Sequence, residues 1–320
     1  MKVVSLSVLA GVVAAPAMAC DLCSVYSAMQ ARGEIEKGFT LGVAEQFSHY
    51  GALQEDGHEV PNDLDQHLAS SISQLFAGYN FTDRLGVQVN VPIIYRSFQR
   101  ADDSGGIERG TESGVGDVSL VANFLAYRKA TKKFTLAWTV HGGVKFPTGS
   151  SDRLQEEVDE LTAPQPPPGA PESGIHGHDL ALGSGSVDGI VGTGVFARRH
   201  RLFLSANAQY AIRKKGDFDY RYANDLVWWG GPGVFLALTE SYTVALQLNV
   251  SGETKGRDTF QGAKAPDTGI TSVFLGPQIS VTWGERFSAE LGADLPVSID
   301  NTALQSVPDY RVRAAVNWRF

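Results

Sequence analysis

The chain has 320 residues, a net charge of −8 and only 2 cysteines. That balance argues against nucleic acid as a partner, and two thiols cannot close a four-Cys zinc site within the chain. Gly at 35 positions, 10% aromatic residues and a mean hydropathy of −0.11 suit a barrel whose strands put one face in lipid and one in water.

In chain order, Lys2, the apolar run Val3 to Ala15 and the small-x-small triplet Ala17-Met18-Ala19 read as a secretory signal over residues 1–19. The apolar run is too short to span a bilayer as a helix. Cleavage after Ala19 leaves Cys20 as the new amino terminus; a lipoprotein signal normally has Leu where this chain has Ala17. Residues 20–37 read as a periplasmic lead-in carrying Cys20-Asp21-Leu22-Cys23, and residues 38–320 as the barrel.

From Gly38 onward, apolar residues recur with period two. The first segment carries Phe39, Leu41 and Val43, the second Leu75, Ala77, Tyr79 and Phe81. The clearest has Val87, Val89, Val91 and Ile93 against Gln88 and Asn90, and Phe134, Leu136, Trp138 and Val140 mark the fifth. Later strands centre on 187–196, on Leu202 to Tyr210, on Trp228-Trp229, on Val244 to Val250, on Val273 to Val281 and on Phe287 to Leu295. The last runs from Tyr310 to Phe320, with Tyr310, Val312, Trp318 and Phe320 on its apolar face. It resembles the C-terminal signal by which bacterial outer-membrane barrels are recognised, which implies the barrel-assembly machinery as a partner.

The pattern predicts an all-β fold: a transmembrane antiparallel up-and-down β-barrel of about twelve strands, long enough to cross an outer membrane. Polar stretches at 51–66, 99–113, 147–183, 214–225, 252–267 and 300–309 alternate with tight turns at 82–84, 128–133, 198–201, 239–242 and 284–286. Such alternation is expected of extracellular loops facing periplasmic turns, with both termini periplasmic. Arg and Lys collect in the short turns, and Asp and Glu in two of the long loops (Glu55 to Asp65; Asp152 to Glu160). The acidic loops are either solvated loop charge or a rim that attracts cations and divalent ions bridging lipopolysaccharide.

Three segments carry a resemblance: Gly114-Val115-Gly116-Asp117-Val118-Ser119-Leu120, Gly143-Val144-Lys145-Phe146-Pro147-Thr148-Gly149 and Leu182-Gly183-Ser184-Gly185-Ser186-Val187-Asp188. Their order and spacing resemble the MetA-pathway phenol-degradation family of outer-membrane β-barrel transporters. The resemblance covers residues 70–320. It implies a barrel in the bacterial outer membrane, linked to uptake of aromatic or other hydrophobic compounds. The Cys-x-x-Cys leader is outside the family pattern.

The lumen should be lined by the polar half of each strand, including Gln88, Asn90, Asn123, Asn207, Gln209, Gln247 and Asn249. Among them Asp117, Glu290 and Asp294, with Arg311 and Arg313, are candidates for a cross-lumen charge network, and His141 also points inward. Twelve strands lie between filled eight-stranded barrels and sixteen-stranded water channels, so a narrow pore and an interior plugged by ion pairs both fit. The 147–183 loop either stands outside or folds in. Within it, His176, His178 and Asp179 could ligate zinc or copper. Cys20 and Cys23 could form a local disulfide, bind a soft metal or exchange thiols. An outer-wall hydrolase would need Ser beside His on the lipid face, and no such pairing is legible. No cofactor and no enzyme activity are expected. The reading is a channel for small solutes in contact with outer-membrane lipid and lipopolysaccharide. The alternatives are a structural or adhesive barrel with a plugged lumen, or a metal- or redox-linked barrel using Cys20 and Cys23.

Overall fold

A computed structural model describes residues 37–102, 106–162, 171–284 and 286–320; Cys20, Cys23 and the signal segment lie outside the described residues. The first strands are β1 (Gly38–Glu55), β2 (His58–Val60), β3 (His67–Asn80), β4 (Leu85–Ala101), β5 (Ile107–Val115), β6 (Ser119–Ala130) and β7 (Phe134–Lys145). Two helices follow, α1 (Leu154–Thr162) and α2 (Gly177–Leu180). The chain continues through β8 (Asp188–Arg199), β9 (Leu202–Ile212), β10 (Tyr220–Arg221), β11 (Asp225–Leu238), β12 (Tyr242–Lys255), β13 (Thr259–Phe260) and β14 (Ala263–Lys264). It ends with β15 (Ile270–Trp283), β16 (Phe287–Asn301) and β17 (Leu304–Arg319).

Neighbours in sequence pair antiparallel around the wall, and β17 closes it on β1 from Thr40↔Arg319 to Glu55↔Leu304. β5 and β6 share one position beside β4, separated by residues 116–118, so the closed barrel has 12 strands. β10, β13 and β14 form a small separate sheet.

The side-chain alternation explains why this sheet closes. On β1, Phe39, Leu41 and Val43 are exposed while Ala44, Gln46 and Ser48 are buried. The same holds on β17, where Tyr310, Val312, Val316 and Trp318 face out and Arg311 and Ala315 face in. Exposed aliphatic side chains cover the outside (Leu75, Val89, Ile93, Leu120, Val191, Leu204, Leu246, Ile279, Leu291). In water such a surface would aggregate; in a bilayer it is solvated by lipid. Aromatic rings gather at the end that carries residues 38 and 320: Phe39 on Tyr79 (4.6 Å), Phe287 on Trp318 (5.9 Å) and Tyr242 on Trp283 (6.4 Å). That is the interfacial girdle of a membrane barrel. The wall is built to stand in lipid.

The strands differ in height. β1 and β4 have 18 and 17 residues, whereas β7, β8 and β9 have 12, 12 and 11. Much of what the sequence assigns to loops is therefore strand. Residues 99–101 end β4 and 107–113 form most of β5, and 300–309 is the end of β16 and the start of β17, joined by a tight turn at Thr302 and Ala303. Beyond the bilayer both faces of a strand meet water or polar loops, so the period-two signal vanishes although the ladder continues. Trp228 and Trp229 also separate: Trp229 is buried inside, and Trp228 lies over Gly252 on the outer face. Just beyond them, Gly230 and Gly231 take φ of 154° and 143°. A Cβ there would stand 2.2 Å from the Ser205 carbonyl oxygen and 2.0 Å from that of Leu248, so only glycine fits.

Candidate channel lumen

The inside of the barrel divides into three levels. At the end that carries residues 38 and 320, a cavity of about 240 Å³ opens between Phe196, Phe203 and Phe235 on one side and Gln247, Gln278 and Glu290 on the other. It mixes aromatic faces with amide and carboxylate groups on rigid strands.

At mid-height the lumen is crossed by buried charge. Lys145 at the end of β7 bonds Asp117 and the Ser184 hydroxyl, and lies 2.9 Å from Asp188. Arg213, 1% exposed in its side chain, bridges Asp188 at 3.1 Å and Asp225 at 2.6 Å. Backbone N–H groups complete the set: Ser184 and Gly149 donate to Asp117 at 2.9 and 3.1 Å, and Lys214 to Asp188 at 2.9 Å. Burial of that many charges is tolerable only because each meets both a counter-charge and hydrogen bonds. The three motifs that carry the family resemblance meet here, since Asp117, Lys145, Ser184 and Asp188 are one from the first, one from the second and two from the third.

Above this level the lumen is filled by the described parts of the connection between β7 and β8, residues 146–162 and 171–187. Leu182 packs with Ala44, Ile72, Phe76, Ile94 and Ala315, which come from β1, β3, β4 and β17. Ile175 and Leu180 join Tyr50, Leu68 and Phe98 in a second cluster. Ion pairs fix α1 to the wall: Arg100 holds Glu108 at 2.7 Å and Glu156 at 3.0 Å, and Arg153 holds Glu112 at 2.6 Å and also Glu156. The acidic residues Glu156 and Glu157, which composition assigns to a solvated rim, are thus internal. Arg153 is only three residues from Glu156, but Arg100 is 56 residues from Glu156 and His178 is 21 from Glu157, which hides those pairings from a linear reading.

His178 on α2 meets Glu157 at 2.9 Å and Asp179 at 3.4 Å. Burial works against the charged imidazole, but Asp179 and Glu157 outweigh it and its pKa is pushed up to about 10. Burial likewise opposes the Glu157 carboxylate, and His178 beside it brings the pKa down to about 2. The pair is therefore ionised at neutral pH.

The sequence-selected residues fall out as follows. His141 faces inward on β7, between Asn123 on β6 and Gly192 on β8. Asp294 and Arg311 are directly opposed in register, yet the bond is diagonal: Arg313 forks onto Asp294 at 2.8 and 3.0 Å. Arg311 instead lies 3.9 Å over the Phe274 ring and 3.8 Å from Glu253. Glu290 accepts from Gln278 at 3.1 Å, and Gln278 also approaches Arg313 at 3.5 Å. Asp117 belongs to the Lys145 and Arg213 set. The selected charges therefore fall into two groups rather than the expected single network. Asp117 joins Lys145, Asp188, Arg213 and Asp225 in one, and Asp294 joins Arg313, Gln278 and Glu290 in the other. Arg311 on β17 reaches past β15 and β16 toward Glu253 on β12. His176 and His178 stack face to face at 5.7 Å, and His176 lies 3.2 Å from Asp267. Among the described residues no three His, Cys, Asp or Glu side chains converge as a metal site.

Sequence reasoning missed Lys145, Asp188 and Arg213, although Lys145 and Asp188 stand inside the quoted motifs. It also missed Glu45, which faces outward between Val43 and Phe47 and accepts the hydroxyls of Ser71 (2.6 Å) and Ser73. Those outer-wall serines are committed to a carboxylate, and His49 on the same face is committed to Asp309 at 2.8 Å.

The barrel is similar over its whole length to a solved structure. The COG4313 outer membrane channel from Pseudomonas putida F1 superposes with a TM-score of 0.60 at 18% identity, over 91% of this chain and 100% of that one. The fold is that of an outer-membrane β-barrel. The transport unit of the autotransporter AIDA-I from Escherichia coli aligns with a TM-score of 0.45 at 8% identity, over 91% of this chain and 93% of its own. The beta domain of the Bordetella autotransporter BrkA gives 0.41 at 10%, over 89% and 100%. No family model and no curated protein matches the sequence.

Proposed function

We propose that the chain is an outer-membrane channel for small solutes, with residues 38 and 320 at its periplasmic end and residues 146–162 and 171–187 as its gate. The observation that supports this most directly is the contrast within the lumen. The half with residues 38 and 320 holds an open cavity of about 240 Å³, while the other half is closed mainly by inserted chain, residues 146–162 and 171–187 packed on Tyr220, Tyr222 and Phe260, rather than by wall side chains. A wall-filled barrel has no route to open; an inserted segment held by ion pairs and side-chain packing can move as a unit. The mixed aromatic and polar lining of the cavity suits small amphipathic solutes, in keeping with the compounds that the motif resemblance implies. Lipid, lipopolysaccharide and the assembly machinery complete the set of partners.

Liposome swelling tests the reading. Arg100→Ala/Arg153→Ala, which frees α1, should raise the swelling rate in small sugars and amino acids several-fold above wild type. The buried ion pairs at mid-height favour a second reading, a permanently plugged barrel whose loops do the work. Equal, negligible swelling of wild type and variant, both folded, would establish that alternative.

A further inference from the structure

Five Arg or Lys side chains are buried among the described residues: Arg96, Lys145, Arg213, Lys255 and Arg311. Four meet a carboxylate, namely Asp117 and Asp188 for Lys145, Asp188 and Asp225 for Arg213, Asp258 for Lys255 and Glu253 for Arg311. Arg96 does not. It projects inward from β4 at 5% exposure, and its Nη1 donates to the backbone carbonyls of Asp179 (2.5 Å) and Ala181 (2.8 Å). Its Nε has no hydrogen-bond acceptor among the described residues. A guanidinium taken out of water without a counter-charge is costly, and its free edge presents the donor geometry that a carboxylate matches.

Arg96 lines a cavity of about 60 Å³ in the gate-side half of the lumen. Its other charged groups are already occupied: His178 by Glu157, Lys255 by Asp258 at 2.7 Å, and the Asp179 carboxylate by the His176 N–H at 2.9 Å and by His178. The rest of the lining is mixed: Leu68, Ile175 and Ile270 give it an apolar side, and Thr268, Gln305 and Ser306 a neutral polar one. At roughly 10–15 Å³ per water-sized occupant, the space takes about four to six heavy atoms. We propose that Arg96 and this cavity bind a small monocarboxylate of acetate or propionate size, its carboxylate on the guanidinium and its short tail against Ile175 and Ile270. This deepens the channel reading, because it places an anion-selective step beside the gate: the carbonyls of Asp179 and Ala181 that Arg96 holds belong to the plugging segment.

Calorimetric titration of the detergent-purified full chain with propionate tests the site without any need for transport. Propionate should bind saturably, propionamide should not, and chloride should compete poorly. Arg96→Gln should weaken propionate by at least about tenfold. Ser306→Leu, which fills the cavity and leaves Arg96 in place, gives an independent reading should Arg96→Gln fail to fold. No saturable binding to wild type, equal binding to a folded Arg96→Gln or Ser306→Leu, or displacement by chloride at the same concentration as propionate would each overturn the assignment. A barrel that binds propionate but never passes solute would sink the channel reading and leave this site standing.

Discussion

The two halves of the lumen are built on opposite principles. Near residues 38 and 320, the wall alone defines the interior, and strand residues such as Phe203, Phe235, Gln247 and Glu290 surround open space. In the gate-side half, the taller strands β1, β4 and β17 surround a second layer of chain whose leucines and acids satisfy the wall. The lesson is that the taller part of the barrel is not a wider pore. It is a socket, and the residues that look like loop charge are its fastenings.

The comparison breaks most severely at its boundary. Arg213→Ala would leave Asp188 and Asp225 buried without their shared cation, so unfolding in urea should show a loss of about 3–5 kcal/mol. Leu182→Ala should cost less, about 2–4 kcal/mol, because Leu182 is 6% exposed among five wall residues. Its loss should fall on the socket and leave the vestibule side chains in place, which hydrogen exchange over 171–187 against 196–205 would reveal.

Solution pH sharpens the same contrast. The raised pKa of His178, about 10 against an ordinary 6.5, stabilises the docked segment fully below about 6.5. The contribution declines above that and is gone once pH passes about 10. The depressed pKa of Glu157, about 2 against 4.5, acts fully above 4.5 and is lost as pH falls through about 2. Solute flux should therefore be lower at pH 6 than at pH 10; the reverse order would contradict the pairing. The smallest effect belongs outside the lumen. Ser71→Ala/Ser73→Ala removes the two hydroxyls that Glu45 accepts on the outer face. It should cost about 1–3 kcal/mol in urea unfolding while solute flux stays at the wild-type level.

What could be read from the residues follows from where period two survives. The final strand is legible because Tyr310 to Phe320 has lipid on one side and polar lumen on the other throughout. Residues 99–113 are not, because that part of the wall stands clear of lipid and its outward Gln99, Arg109 and Thr111 need not be apolar. Inward direction is equally legible for Asp294, Arg311 and Arg313, since it depends only on strand parity, whereas Asp117 lies in the irregular 116–118 break between β5 and β6. Partner choice is not: Arg311 faces Asp294 in register but turns to Phe274, and the diagonal Arg313 takes the carboxylate. The fastening of Glu156 to Arg100 joins positions 56 residues apart, so no local spacing could announce it.

Single-channel conductance of Leu182→Ala beside wild type in planar bilayers tests the central claim most directly, that a chain segment and not the wall closes this barrel. Wild type should show small or rare openings, and Leu182→Ala frequent and larger ones. Indistinguishable closed traces from both proteins, each showing heat-modifiable migration as proof of a folded barrel, would contradict it.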